Sequence, residues 1–206
     1  MTLEVFEFEQ RSPEWYAARL GIPTSSMFAT VLAKGKGGGE SVTRRTYMLK
    51  LLGERLTGEP ADNYQNAHME RGRVMEAEAR DLYELVKEVP MRQVGFIRRG
   101  DVGCSPDSLI GDDGVLEIKT KLAHLQLDCL LRDHLPPEHV AQVQGQLWIA
   151  EREWVDLVSY WPGLPLFVKR TYRDDSYIAT LAAAVDAFNS ELAALEDRIK
   201  RYKSAA

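Results

Sequence analysis

The segment 94–121 constrains this chain more than any other. Its short β-rich runs are cut by Gly100-Asp101 and by Gly111-Asp112-Asp113-Gly114, which turn a chain back on itself. The spacing predicts consecutive antiparallel strands joined by hairpins. Helical patterns lie on both sides of it. Ser12-Pro13-Glu14 starts a short helix that runs through Arg19 and stops at Gly21. Pro23-Thr24-Ser25-Ser26 starts a second. Residues 41–56 read as helical, and so do residues 66–88, where Met75, Ala79, Leu82, Tyr83 and Val86 recur at helical spacing. A helix over 137–150, β-like runs at 154–161 and 166–172, and a long helix over 175–202 complete the chain. No repeat or long linker divides the 206 residues, so a single domain over 1–206 is expected. Its class is α/β, a mixed central sheet flanked by helices.

Composition removes several alternatives. Two cysteines, Cys104 and Cys129, cannot build a disulfide framework and fit a reducing compartment. No uncharged apolar run approaches a membrane span, and the first residues carry acids where a signal peptide carries bases. The expectation is a soluble cytoplasmic protein with no membrane partner. A net charge of −5 excludes a uniformly basic protein that coats DNA. The charge is nevertheless uneven. Between residues 16 and 50, Arg19, Lys34, Lys36, Arg44, Arg45 and Lys50 stand against Glu40 alone, a local field able to hold phosphates. The segment 34–39, KGKGGG, reads as a mobile basic loop and lacks the Gly-Lys-Ser/Thr ending of a nucleotide-binding P-loop. His68, His124, His134 and His139 have no zinc spacing.

The chemistry concentrates in Ser105-Pro106-Asp107 and Leu116-Glu117-Ile118-Lys119. Side chains alternate along a strand, so Glu117 and Lys119 share a face while Leu116 and Ile118 point into the core. A hairpin brings Asp107 back beside them. Two carboxylates and an ammonium at one spot suit a hard cation such as Mg²⁺, which acts on phosphates and on bound water. The same residues also fit a plain surface hairpin with a charged, solvated face.

The pattern SPD, a ten-residue step, then EIK resembles the PD-(D/E)xK nuclease signature. EWYAARLGIPTSS, RGRVMEAEAR, CSPDSL, LEIKTK and HVAQVQGQLWIA come in the order found in the lambda-type phage exonucleases, the YqaJ-like recombination nucleases. The resemblance spans residues 15–150, the catalytic core, with 151–206 adding strands and a helix. It implies a restriction-endonuclease-like fold. It also implies a 5′-to-3′ exonuclease that degrades one strand of linear double-stranded DNA to mononucleotides and leaves 3′ overhangs for strand annealing.

The resemblance further implies roles for individual residues. Asp107, Glu117 and the backbone carbonyl of Ile118 would hold Mg²⁺, two ions per site, with Mn²⁺ as a substitute. Lys119 would position or activate the attacking water. Glu76 and Gln142 would complete the catalytic group. Arg19, Thr24, Ser26 and Ser105 would bind the 5′-phosphate of the DNA end, where an arginine fork and a helix start both favour anions. Lys34 and Lys36 would add DNA contacts, and Met69 would wedge the end open. The implied partners are a single-strand annealing recombinase and two further copies in a ring-shaped homotrimer, in a bacterial cytoplasm and from a phage or prophage. Two rival readings stand beside this one. One is an endonuclease of the same superfamily, and the other is a non-catalytic DNA-end-binding protein. The apolar stripe Ile178, Leu181, Val185, Phe188, Leu192, Leu195, Ile199 and Tyr202 is read as packing on the chain's own core.

Overall fold

Local signals set most of the helices. In the computed structural model, which describes residues 2–61 and 67–204, the Ser12 hydroxyl accepts from the Trp15 N–H and opens α1 (Pro13–Arg19). Ser41 caps α3 (Val42–Thr57) in the same way, and Gly58 ends it in the left-handed conformation at φ 75°. Between them the expected second start yields one 3-10 turn, Ser25–Met27, and a short α2 (Phe28–Leu32). The helices α4 (Ala67–Lys87), α6 (Val140–Ala150) and α7 (Asp175–Ser204) lie where the periodicity placed them. A further helix, α5 (Ala123–Arg132), and an N-terminal strand, β1 (Leu3–Phe6), were not anticipated.

The strands form two sheets. β1, β3 (Phe96–Arg99) and β4 (Val102–Cys104) make a three-stranded antiparallel sheet in the order β1-β3-β4. β2 (Met91–Arg92), β5 (Ser108–Ile110), β6 (Gly114–Thr120), β7 (Trp154–Tyr160) and β8 (Phe167–Tyr172) make a five-stranded sheet in the order β2-β5-β6-β7-β8. Its β6–β7 pair is parallel and its other pairs are antiparallel, so the central sheet is mixed. Both expected hairpins form, with Gly100 and Gly111 at positive φ in their turns. The expectation of one continuous run of strands is corrected. β4 and β5 belong to different sheets, and the chain crosses between them at Ser105-Pro106-Asp107. Pro106 has no N–H to extend a ladder, which favours a break there.

Helices cover both faces of β6. On one face α4 sets Ala79 and Tyr83 against Leu116, Ile118 and Val158. On the other, Val115, Val155 and Leu157 join a larger core with residues of α2, α3, α6 and α7. The Glu117 face is therefore not a solvated surface. It lies under α6, and Glu117 is only 4% exposed.

The α7 stripe is core from Ile178 to Leu192, while Ile199 and Tyr202 are exposed. By length and composition α7 could cross a membrane. Its apolar stripe instead fills the core between α2, α3 and α6, where each large side chain contributes about 1.5–3 kcal/mol on burial.

Candidate active site

The site forms because β5 is short. Antiparallel pairing with β6 ends at Ser108 opposite Leu116, and one more bond follows from the Asp107 N–H to the Leu116 carbonyl at 3.1 Å. Beyond it, among the described residues, this edge of β6 has no neighbouring strand. The Asp107 carboxylate fills the gap, with Oδ2 accepting from the Ile118 N–H at 2.5 Å. In a strand, the N–H and C=O of one residue leave on the same side. The Ile118 carbonyl therefore opens toward the same edge as the Asp107 carboxylate.

Glu117 reaches the site from the α6 face. Its Oε1 accepts from Gln142 Nε2 at 2.6 Å and pairs with Lys119 Nζ at 2.7 Å. Its Oε2 accepts from Gln146 Nε2. Glu76 comes from α4, across the sheet. Arg80 holds one of its oxygens at 2.9 Å, and Arg11 lies 3.5 Å from the other. Its neighbour Glu78 instead faces solvent and accepts from the Tyr160 hydroxyl at 3.3 Å.

Electrostatics sets Asp107 apart. Burial pushes its pKa well above the usual carboxylate value, and the negative charges of Glu117 and Glu76 push it further. The Ile118 N–H and Lys119 oppose that rise without cancelling it. Burial alone would lower the pKa of Lys119, but Glu117, Asp107 and Glu76 together raise it, so the ammonium is held charged.

The donor set fits a hard divalent cation. It is all oxygen, two carboxylates and one backbone carbonyl, and its surplus negative charge is what a cation would relieve. Glu76 stands outside this set. Among the described residues no three His, Cys, Asp or Glu side chains lie close enough to share one ion.

A second cluster adjoins the first. Ser105 precedes Asp107 by two residues, and its hydroxyl accepts from Trp15 Nε1 at 2.9 Å and from Arg19 Nη1 at 3.1 Å. The Arg19 guanidinium lies over the Trp15 ring, 3.9 Å from its centroid, and 5.9 Å from the Phe96 ring centroid. Burial pulls its pKa below the ordinary arginine value. Among the described residues no carboxylate pairs with this half-buried cation. Thr24 and Ser26, at the 3-10 turn that follows α1, are tied to each other through their hydroxyls at 3.3 Å. Thr24 corrects one expectation: its N–H already donates to the Tyr47 hydroxyl, so that donor is not free for an anion. The Thr24–Phe28 stretch lies close to α6 because Gly145 has no side chain. A Cβ there would stand 2.4 Å from the Phe28 ring.

Lys34 and Lys36 are exposed around the 3-10 turn Lys36–Gly38, and among the described residues no hydrogen bond or ion pair joins them to either cluster. The Met69 side chain lies outside the described residues. Two contributors were not read from the sequence. Gln146 repeats Gln142 one helical turn later and points the same way, a spacing signal that was available. Gln10 donates to the carbonyls of Pro106, at 2.9 Å, and Val94, and so anchors the loop that carries Asp107. Nothing local in the sequence marks it.

A mixed sheet between helices, with paired carboxylates and a lysine at the open edge of its central strand, is the architecture of an α/β nuclease. Comparison with known proteins agrees. The YqaJ-like viral recombinase domain matches residues 14–153, and the chain belongs to that family. It is similar to the crystal structure of an alkaline exonuclease from Laribacter hongkongensis. The TM-score is 0.86 at 35% identity, over 94% of this chain and 99% of that one. The same enzyme in complex with dAMP matches equally well. A phage-related exonuclease from Haemophilus somnus 129PT shares the fold, with TM-score 0.65 at 13% identity over 86% of this chain and 96% of that one. No curated protein matches the chain.

Proposed function

We propose that this exonuclease is Mg²⁺-dependent and removes 5′-terminal nucleotides from linear double-stranded DNA. The observation that carries the reading is the adjacency of two clusters. A half-buried arginine, with no acid partner among the described residues, donates to the Ser105 hydroxyl, and Ser105 lies two residues from Asp107 on the acid-rich edge beside Lys119.

Asp107, Glu117 and the Ile118 carbonyl would hold Mg²⁺, two ions at full occupancy, with Mn²⁺ able to replace it. Bound there, the metal supplies Lewis acidity toward the phosphoryl oxygen, a lowered pKa for bound water and a counter-charge for the leaving oxygen. Lys119 carries its positive charge beside Glu117 and orients the attacking water. Gln142 fixes the Glu117 carboxylate. Glu76, braced by Arg80 and Arg11, completes the acidic wall. Arg19 binds the terminal 5′-phosphate by a charge-assisted hydrogen bond, with Ser105, Ser26 and the Thr24 hydroxyl around it.

This placement supports a mononucleotide product. Ser105 and Asp107 are at most about 7 Å apart along the chain, comparable with the backbone span of one nucleotide. A 5′-phosphate held by Arg19 would thus bring the next phosphodiester to the acidic edge, and one mononucleotide would leave per cut. The dAMP complex of the Laribacter enzyme supports a site of mononucleotide size. Each cut creates a new 5′-phosphate for the same pocket, and the other strand is left as a 3′ overhang for a single-strand annealing protein. Lys34 and Lys36 would meet the duplex, Met69 would separate its end, and a ring-shaped homotrimer would enclose it, in the cytoplasm of a phage-bearing host.

End-labelled linear duplexes with 5′-phosphate or 5′-hydroxyl ends test this reading. Mg²⁺-dependent release of mononucleotides from the 5′-phosphate end is expected. Equal release from both ends would remove the Arg19 pocket from the mechanism. Cutting of covalently closed circles would support an endonuclease instead, and release no greater than that of Asp107→Ala would support a non-catalytic end-binder.

A further inference from the structure

Two buried glutamines of α6 are used very differently. Gln144 is satisfied on both sides. Its Nε2 donates to the Tyr172 carbonyl at 2.9 Å, and its Oε1 accepts from the Asp174 N–H at 2.9 Å. Gln146, fully buried, donates to Glu117 Oε2 while its own Oε1 is buried with no hydrogen-bond partner. Turning the amide over would not help, because that would set its oxygen against a carboxylate. A position that served only packing would be better filled by an apolar side chain of similar volume, which leaves no acceptor unmet. The amide is therefore explained by what its N–H₂ does to Glu117.

Counting acceptor positions shows what that is. A carboxylate offers about four lone-pair positions. Lys119 and Gln142 take both on Oε1, and Gln146 takes one on Oε2. A single position remains, on Oε2.

We infer that Gln146 is a positioning residue that locks the Glu117 carboxylate so that it presents one oxygen lone pair, and hence a single ligand, to the divalent cation. This rests on the proposed metal-dependent function. Gln142 and Lys119 both hold the same oxygen, Oε1, and leave the other free to swing as the carboxylate turns about the Cγ–Cδ bond. The second donor, on the other oxygen, removes that freedom. Groups that orient a metal ligand in this way typically change metal affinity about 10–100-fold when removed.

Gln146→Met tests the inference, since methionine keeps the length and volume without the donor. Mn²⁺ serves as the probe, with the free ion counted by electron paramagnetic resonance in the absence of DNA. Gln144→Met is the control for damage to α6. Gln146→Met is expected to weaken Mn²⁺ binding about tenfold, with kcat recovering at saturating Mg²⁺. Gln144→Met should lower Tm and leave Mn²⁺ affinity alone. Gln146→Leu replaces the first variant if that one fails to fold. Wild-type Mn²⁺ affinity in a folded Gln146 variant overturns the inference while the proposed function stands. Failure of the wild-type protein to take up Mn²⁺ overturns both.

Discussion

Asp107 and Asp156 are aspartates of one sheet region with opposite surroundings. Asp156, on β7, is 1% exposed. Every direction around it is answered. The Tyr83 hydroxyl donates at 2.6 Å, and Arg170 donates through Nε and Nη2 at 2.8 and 2.9 Å while lying 3.6 Å above the Trp154 ring. Asp107 is only half-buried, yet it has one backbone N–H on its carboxylate and two acids nearby. A buried acid is thus not in itself the mark of a site. Asp156 has its counter-charge built in and no capacity for a ligand, whereas the Asp107–Glu117 edge has charge left to be neutralised. The same contrast separates Arg170, clamped on a carboxylate, from Arg19, whose partners are a hydroxyl and aromatic rings.

The largest effects should fall on the uncompensated side. Asp107→Asn and Lys119→Met should each lower kcat about 10³-fold or more while the protein stays folded. Mg²⁺-dependent nucleotide release, read beside circular dichroism, checks this, and near-normal rates would erase the distinction between the two aspartates. Asp156→Asn should do the reverse. It removes half of a buried pair, which costs about 3–5 kcal/mol when both partners are sealed. Arg170 is 42% exposed, so solvent screening reduces the expected loss to about 3 kcal/mol. Urea unfolding measures it, with activity per folded molecule unchanged.

The sequence separated these two sides only in part. Asp107, Glu117 and Lys119 were legible because strand alternation and a hairpin bring them together whatever else the chain does. The capped helices were legible because Ser12, Pro13 and Ser41 act locally. What escaped depends on layers. Alternation set Glu117 opposite Leu116, but that a helix with Gln142 and Gln146 would cover its face is a tertiary fact. α5 escaped because Leu125, Leu127 and Leu131 are all exposed and only Cys129 and Leu130 turn toward the core, too short an apolar stripe to mark a helix. β1 escaped for a similar reason, with Leu3 and Val5 at 36% and 39% exposure. Asp156 gave no sign of itself, since its partners Tyr83 and Arg170 are distant in sequence.

A half-buried imidazole extends the comparison to a base. His139 precedes α6, with Lys119 and Lys121 nearby, Glu138 Oε1 4.0 Å from Nε2 and the Glu117 charge beyond. Burial lowers its pKa to about 4, the two lysines adding to the drop and the acids only partly opposing it. The unfolded chain then binds this proton more readily than the folded one between about pH 6.5 and pH 4. Stability is therefore lost as the pH falls through that window. From pH 7 to pH 5 this group alone should account for about 2 kcal/mol. His139→Phe should flatten that part of the urea-midpoint profile, and an unchanged slope would show that the imidazole is not held neutral.

The smallest effect is also the one that reverses sign between the two aspartates. A carboxyl whose folded pKa lies above its unfolded value binds its proton more tightly when folded. It favours the fold at low pH and opposes it once ionised, because the native site then carries its charge beside Glu117 and Glu76. At pH 7 without metal, Asp107→Asn should therefore stabilise the protein by about 1 kcal/mol, the scale usual when an active-site charge is removed. The asparagine oxygen can still accept from the Ile118 N–H, so the loop keeps its anchor. Mg²⁺ should raise the Tm of the wild-type protein and leave that of Asp107→Asn nearly unmoved. A lower Tm for Asp107→Asn in metal-free buffer would place Asp107 with Asp156, as an acid that holds the fold together.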